Sequence, residues 1–256
     1  MKMKYLFITA LLAGATISAS AQTAKPEDTE FYTPVPAVVS PGKTSCDAPS
    51  DAIILFGGKN LDEWVLVNDS TAAKKWLVAG GAITVDKKKG DIQTKRKFTD
   101  FQLHIEYRIP ADIEGSGQGR GNSGIFLAAL PWGAGGYELQ VLDNYNNKTY
   151  TNGQAGSMYK QSPPLMNACR KPGEWNTYDV VWTAPRFNED GSVKTPARVT
   201  AIHNGVLVQN NYELKGDTPY IGAPQYRKHG AAPIKLQSHG DPSKPISYRN
   251  IWVRSL

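Results

Sequence analysis

From residue 100 to 109, apolar and polar positions alternate without a break. Phe101, Leu103, Ile105, Tyr107 and Ile109 fall on one face, and Gln102, His104, Glu106 and Arg108 on the other. A period of two marks a β-strand with one face against a core. Residues 137–142 alternate in the same way, and 177–183, 198–203, 233–238 and 248–254 are further strands. Asn204-Gly205 stands between two apolar runs, and Gly80-Gly81 separates 76–78 from 83–85. Such dipeptides accept the left-handed backbone of a two-residue hairpin. No stretch of twelve residues keeps a 3.6 period, and no internal repeat appears. About a dozen short strands separated by turn signals predict one antiparallel β-sandwich with long loops, not alternating βαβ units.

The amino terminus departs from this pattern. Lys2 and Lys4 precede an apolar run over residues 5–17, and Ala19-Ser20-Ala21 offers a small-x-small cleavage site. Residues 1–21 therefore read as a secretory signal peptide, because the apolar run over 5–17 is shorter than the roughly 20 residues of a spanning helix. The expected location is periplasmic or extracellular in a bacterium, with no membrane span after cleavage. Residues 22–50, with five prolines and few aliphatics, read as an extended segment before a domain at 51–256. Export would permit a Cys46–Cys169 disulfide. Two cysteines exclude a four-thiolate zinc site. The formal charge of +6 is scattered. Its two basic clusters, 87–89 and 95–97, lie beside turns without interleaved aromatics, which argues against a nucleic-acid partner. Oligomeric state is not legible.

Several catalytic patterns fail. The Gly-rich run 115–124 lacks a Lys-Ser/Thr pair and leads into a strand, so it is a loop rather than a phosphate cradle. Glu138 and Asp143 suggest a glycosidase pair, but an odd spacing of five puts them on opposite faces of a straight strand. Even spacing unites Glu138 with Gln140, His104 with Glu106 and Arg108, and Lys235 with Gln237 and His239. These polar stripes fit either a solvated sheet face or a sugar cleft. The glutamines and histidines, and the aromatics nearby at Trp132, Tyr137, Tyr145, Tyr150 and Tyr159, favour the cleft.

The stretch Leu-Phe-Gly-Gly-Lys-Asn-Leu-Asp-Glu-Trp at 55–64 resembles the opening of the bacterial 3-keto-disaccharide hydrolase domain family. Gly-Asn-Ser-Gly-Ile-Phe at 121–126, Tyr-Glu-Leu-Gln-Val-Leu-Asp at 137–143 and Gly-Glu-Trp-Asn-Thr-Tyr at 173–178 follow in order. His-Asn-Gly at 203–205, Pro-Ile-Lys-Leu-Gln-Ser-His-Gly at 233–240 and Tyr-Arg-Asn-Ile-Trp at 248–252 complete the set. The resemblance covers residues 51–256 and implies a concanavalin A-like jelly-roll sandwich acting on glycosides oxidised at C3. Ala128 departs from the arginine frequent after the Gly-Asn-Ser motif, and residues 145–172 are longer than in the simplest members. Trp64 and Trp252, in the opening and closing motifs, are expected in terminal strands that pair and bury both indoles.

A 3-keto group acidifies C2–H, so the C1–O bond can leave from an enolate without a carboxylate pair. Such chemistry needs a base, an electrophile at the keto oxygen and a proton donor. Glu138 or His239 is the expected base. Gln140, Gln237 and Asn122 are candidates for sugar hydroxyls, Tyr159 for the aromatic rim, and Arg120 or a divalent cation for the ketone. Glu106, Glu138 and His239 are the candidate ligands of that cation. The competing classes are a non-catalytic carbohydrate-binding module on the same sandwich and an ordinary retaining glucanase.

Overall fold

The computed structural model describes residues 24–69, 76–132 and 135–256; the leader-like segment 1–21 lies outside them. Two compact units are present, one ending at Val38 and one spanning Val39–Leu256. The described part of the first holds one 3-10 turn, Pro26–Thr29, and no strand.

The second unit is a jelly-roll sandwich of antiparallel strands. In chain order these are β1 (Ile53–Phe56), β2 (Trp64–Leu66), β3 (Leu77–Ala79), β4 (Ala82–Thr84) and β5 (Ile92–Thr94). Next come β6 (Phe101–Arg108), β7 (Ser123–Ala129), β8 (Gly136–Val141), β9 (Trp175–Thr183) and β10 (Arg186–Phe187). The last are β11 (Val193–Thr195), β12 (Arg198–His203), β13 (Val206–Glu213), β14 (Lys235–Leu236) and β15 (Ser247–Ser255). One sheet has eight strands in the order β13-β12-β9-β6-β15-β4-β3, with β1 also paired to β15; the other has five, β2-β5-β14-β7-β8. β10 and β11 form a separate ribbon.

The alternation in β6 places Phe101, Leu103, Ile105 and Tyr107 in the core, all fully buried. From the facing sheet, Tyr137, Leu139 and Val141 of β8 and Ile125 and Leu127 of β7 complete the same apolar cluster. Both expected hairpins form. Asn204 and Gly205 have φ of 52° and 81°, and Gly80 and Gly81 have 57° and 75°, the positive angles such loops need.

Two expectations change, and the open question of a disulfide is answered. The strand expected over 233–238 contracts to Lys235–Leu236, because Ser238 N–H leaves the ladder for Asp91 Oδ1 at 2.8 Å. Trp64 and Trp252 are both buried, but their strands do not pair. Trp64 lies in the five-stranded sheet opposite Thr94 of β5. Trp252 lies in the other sheet, opposite His104 of β6, whose ring it stacks on at 5.2 Å. Its Nε1–H donates to the Cys46 carbonyl at 3.1 Å, so a preceding segment and not the core covers it. Finally, Cys46 and Cys169 are unbonded. Cys46 lies by His104 and Glu106 on the outer side of β6, whereas Cys169 lies by the core-facing Tyr107. The sheet stands between the two thiols.

Candidate functional site

The face of the five-stranded sheet turned away from the core carries a cleft of about 230 Å³. Asn122, Glu138, Gln140, Tyr159, Tyr220, Gln237 and His239 line it. Six of these are residues the sequence singles out, and the strand period explains their meeting. With Tyr137, Leu139 and Val141 in the core, Glu138 and Gln140 must face outward. β7 pairs with β8 so that Gly124 stands opposite Gln140 and Phe126 opposite Glu138. β14 pairs with the other edge of β7, and Gln237 N–H continues that ladder to the Gly124 carbonyl at 2.9 Å. His239 then arrives two residues later, on the same side as Glu138.

The long segment after β8 completes the wall. Gln140 N–H donates to Ser157 O, Gly156 N–H to Gln140 O, and Tyr159 N–H to Glu138 O, each at 3.0–3.1 Å. This extra pairing at the β8 edge sets Tyr159 beside Glu138. Tyr150 and Tyr159 join their hydroxyls at 2.6 Å.

Glu138 is buried, and its carboxyl accepts no close donor from the cleft wall. Burial pushes its pKa up to about 8; the Lys235 ammonium pulls the other way, and Asp91 adds to the rise. At neutral pH the group therefore carries a proton. Lys235 Nζ is held 3.1 Å from Asp91 Oδ2 and 3.8 Å from the centre of the Phe126 ring. His239 Nδ1 lies 3.0 Å from Asp241 Oδ2 and 3.2 Å from Asp241 N. Burial of Asp241 disfavours its charge, but hydrogen bonds from His239, Ser243 and Lys87 prevail and hold its pKa to about 2. A permanent carboxylate thus sits behind the imidazole.

Gln140 and Asn122 are fixed as a pair. Gln140 Nε2 donates to Asn122 Oδ1 at 3.0 Å, and Asn122 Nδ2 donates to the Gln118 carbonyl at 2.9 Å. Gln140 Oε1 and Gln237 Oε1 are buried and accept nothing. Buried polar atoms seldom stay unpaired. Two unused acceptors in one cleft suit the hydroxyls of a sugar.

Gly124 is required by this packing. A Cβ there would fall 2.4 Å from Glu138 Oε1, although its backbone is ordinary for any residue. Gly124→Ala should therefore fold while pushing the carboxyl aside, and on the role proposed for Glu138 below turnover should fall on the order of 10²-fold. Steady-state rates beside thermal melts test this: unchanged turnover would mean that Glu138 needs no fixed position.

Other sequence candidates lie elsewhere. Arg120 does not line the cleft; its Nε donates to Asp143 Oδ2 at 2.6 Å and its Nη1 to the Ile113 carbonyl at 3.0 Å. It closes the Gly-rich loop and is not aimed at a ketone. Asp143, paired with Arg120, does not join Glu138, as the odd spacing predicts. Glu106 belongs to β6 in the opposite sheet, where Arg249 Nε donates to it at 2.6 Å. Glu106, Glu138 and His239 therefore do not converge on one ion. Tyr137 is a core residue and Trp132 lines a separate cavity of about 390 Å³.

Sequence reasoning missed Tyr220, Asp241 and Gln118. Tyr220 comes from the β13–β14 loop, where Pro219 and Gly222 flag a turn but not its destination. Asp241 was legible as a carboxylate two residues after His239. Gln118 lies in the Gly-rich run read as a plain connection; it is the anchor of Asn122.

Residues 51–254 match the model of a family described as the 3-keto-alpha-glucoside-1,2-lyase-like domain. A 3-keto-disaccharide hydrolase of Bacteroides thetaiotaomicron is 27% identical over 218 residues, covering 70% of this chain and 72% of that protein. A Parabacteroides distasonis crystal structure, described as a candidate glycosyl hydrolase, is 58% identical with a TM-score of 0.84, over 91% of this chain and 97% of that one. A second structure from that organism, 20% identical with a TM-score of 0.59 over 80% and 94%, shares the fold. With its family model spanning the whole sandwich, this chain belongs to the 3-keto-alpha-glucoside-1,2-lyase-like family.

Proposed function

We propose that this chain is a carbohydrate-active enzyme that breaks the glycosidic bond of 3-keto-glycosides or 3-keto-disaccharides, starting with removal of the C2 proton. The family and the name of the Bacteroides relative support the substrate class. One observation carries the mechanism: Glu138 is the one carboxyl group among the described residues lining the cleft, and its companion is an imidazole backed by a carboxylate. Retaining and inverting glycosidases normally place two carboxyl groups across the scissile bond. A 3-keto sugar removes that need.

In the tautomer whose Nδ1–H donates to Asp241 Oδ2, His239 Nε2 has a free lone pair and takes the C2 proton. The C2–H electrons form the enolate. They then return to make the C1–C2 double bond as the C1–O bond breaks, and the keto group is restored. Glu138, protonated at neutral pH, gives its proton to the departing oxygen. Addition of water across the double bond turns elimination into net hydrolysis. A buried carboxyl group facing a carboxylate-backed imidazole brings a proton donor and a proton acceptor to one site. Gln140 and Gln237 orient the sugar through their free Oε1 atoms, and Tyr159 and Tyr220 offer ring faces at the rim. The leader-like first 21 residues support export as part of this reading.

Incubation with a matched 3-keto and unoxidised glycoside tests the proposal. Product is expected from the keto compound alone. Comparable cleavage of both would indicate an ordinary glucanase, and binding of either without turnover a lectin-like module.

A further inference from the structure

On the outer face of the five-stranded sheet, one row of side chains crosses three strands. Glu138 of β8 stands opposite Phe126 of β7, and Phe126 stands opposite Lys235 of β14. Residues directly opposite one another share a face, so all three project to the same side. Two strand spacings, roughly 10 Å between Cα atoms, separate Glu138 from Lys235. A lysine and a glutamate reaching toward each other close that span. The ammonium already leans toward β8. Its Nζ lies 3.8 Å from the centre of the Phe126 ring, and a Cβ on Gly135, in the turn before β8, would fall 2.5 Å from it. A free cation in that position would ionise the carboxyl and pair with it.

Asp91 holds the cation elsewhere. It lies just before β5, which flanks β14 on the side away from β7. Its Oδ2 is 3.1 Å from Lys235 Nζ, and its Oδ1 accepts the Ser238 N–H at 2.8 Å. The second bond fixes the chain one residue before His239. We infer that Asp91 is a positioning residue for both halves of the acid–base pair: one oxygen sets the segment that carries His239, and the other keeps the Lys235 ammonium off Glu138, so that Glu138 retains its proton. This rests on the donor role given to Glu138 above.

The other ionisable groups around Glu138 leave the balance to Asp91 and Lys235. Tyr159 and Tyr220 line the cleft, and Tyr248 of β15 lies behind the sheet, its hydroxyl 2.7 Å from Ser123 Oγ. Burial raises the hydroxyl pKa of Tyr159 and of Tyr248, so both are uncharged at neutral pH. His239 shares the cleft, with Asp241 behind it. The charges felt at Glu138 are those of Lys235, which favours its ionised form, and of Asp91, which opposes it.

The test follows Glu138 in the full chain by NMR titration of the glutamate carboxyl carbons, with its signal assigned from Glu138→Gln. The pH profile of kcat on a 3-keto-glycoside is measured in parallel. Asp91→Asn keeps an oxygen for the Ser238 N–H but loses the charge that holds Lys235. The Glu138 midpoint and the alkaline limb of kcat should then both move down by roughly 1–3 pH units, with turnover recovering toward acid. Lys235→Met should move both upward, by about one unit, and the double variant should bring them back near wild type. A contact that only supports the fold would lower turnover at every pH without such opposite shifts. A midpoint that stays or falls in Lys235→Met overturns the inference by itself, as do shifts of one sign in the two single variants. A midpoint that moves while the kinetic limb stays would separate the pair from the reaction. A wild-type chain without turnover would instead defeat the reaction proposed above, and the NMR midpoints would still decide whether Asp91 withholds the lysine.

Discussion

Replacing Glu138 by Gln is expected to lower turnover of a 3-keto-glycoside by roughly 10²–10⁴ while leaving the fold intact. The amide keeps the size of the side chain and can still donate a hydrogen bond, but it has no proton to give to the leaving oxygen. A substrate with a very acidic leaving group needs that proton least, and should lose the least activity. The pH dependence gives a separate check. Burial lifts the Glu138 carboxyl from 4.5 to about 8. Between those values the folded protein holds a proton that the unfolded chain has released, so this group makes stability fall as pH rises through that window. The variant has no such titration. Its melting temperature relative to wild type should therefore climb from about pH 4.5 to pH 8 and level off above. The alkaline limb of kcat near pH 8 should also vanish. A variant with wild-type turnover, or one with a flat stability difference across that range, would show that Glu138 is neither proton donor nor buried acid.

Trp64→Ala should cost roughly 3–5 kcal/mol of stability, read as a lower urea midpoint at an unchanged slope. The indole is fully buried, and its Nε1–H donates to the Leu55 carbonyl at 2.8 Å. Truncation leaves a cavity between the sheets and orphans that carbonyl. Trp64→Phe separates the two effects: it retains most of the volume and leaves the carbonyl unpaired, a loss of about 1–3 kcal/mol. Trp252→Ala should be less damaging, because that ring lies outside the inter-sheet core, under a segment that can settle onto it. Equal losses at both positions would contradict this division into core and covered outer face.

Much of the site was legible because a strand has a period of exactly two residues per repeat and no freedom to drift. Once Tyr137, Leu139 and Val141 are assigned to the core, Glu138 and Gln140 face the other way whatever the rest of the chain does. The same parity excluded Asp143 as a partner. Parity is silent about which sheet a face belongs to. Glu106 and Glu138 both read as outward carboxylates on alternating strands, yet β6 and β8 lie in opposite sheets, and their outward faces look in opposite directions. Loops were harder still. Arg120 stands two residues from Asn122 in a Gly-rich run, and nothing in that spacing tells that its guanidinium turns back to Asp143.

The sequence by itself determined the longer strands, the two hairpins and the side on which the residues of those strands lie. These follow from local sterics and from alternation against an apolar core. The tertiary structure alone decided which strands are neighbours. It brought β14 to the far edge of β7 from β8, so that His239 meets Glu138 across about a hundred residues of chain. It also laid Cys46 over His104 and Glu106, burying a polar face that alternation would have left in water. Long-range pairing of this kind is set by the summed burial of whole sheet faces and not by any local pattern, so no window of sequence can contain it.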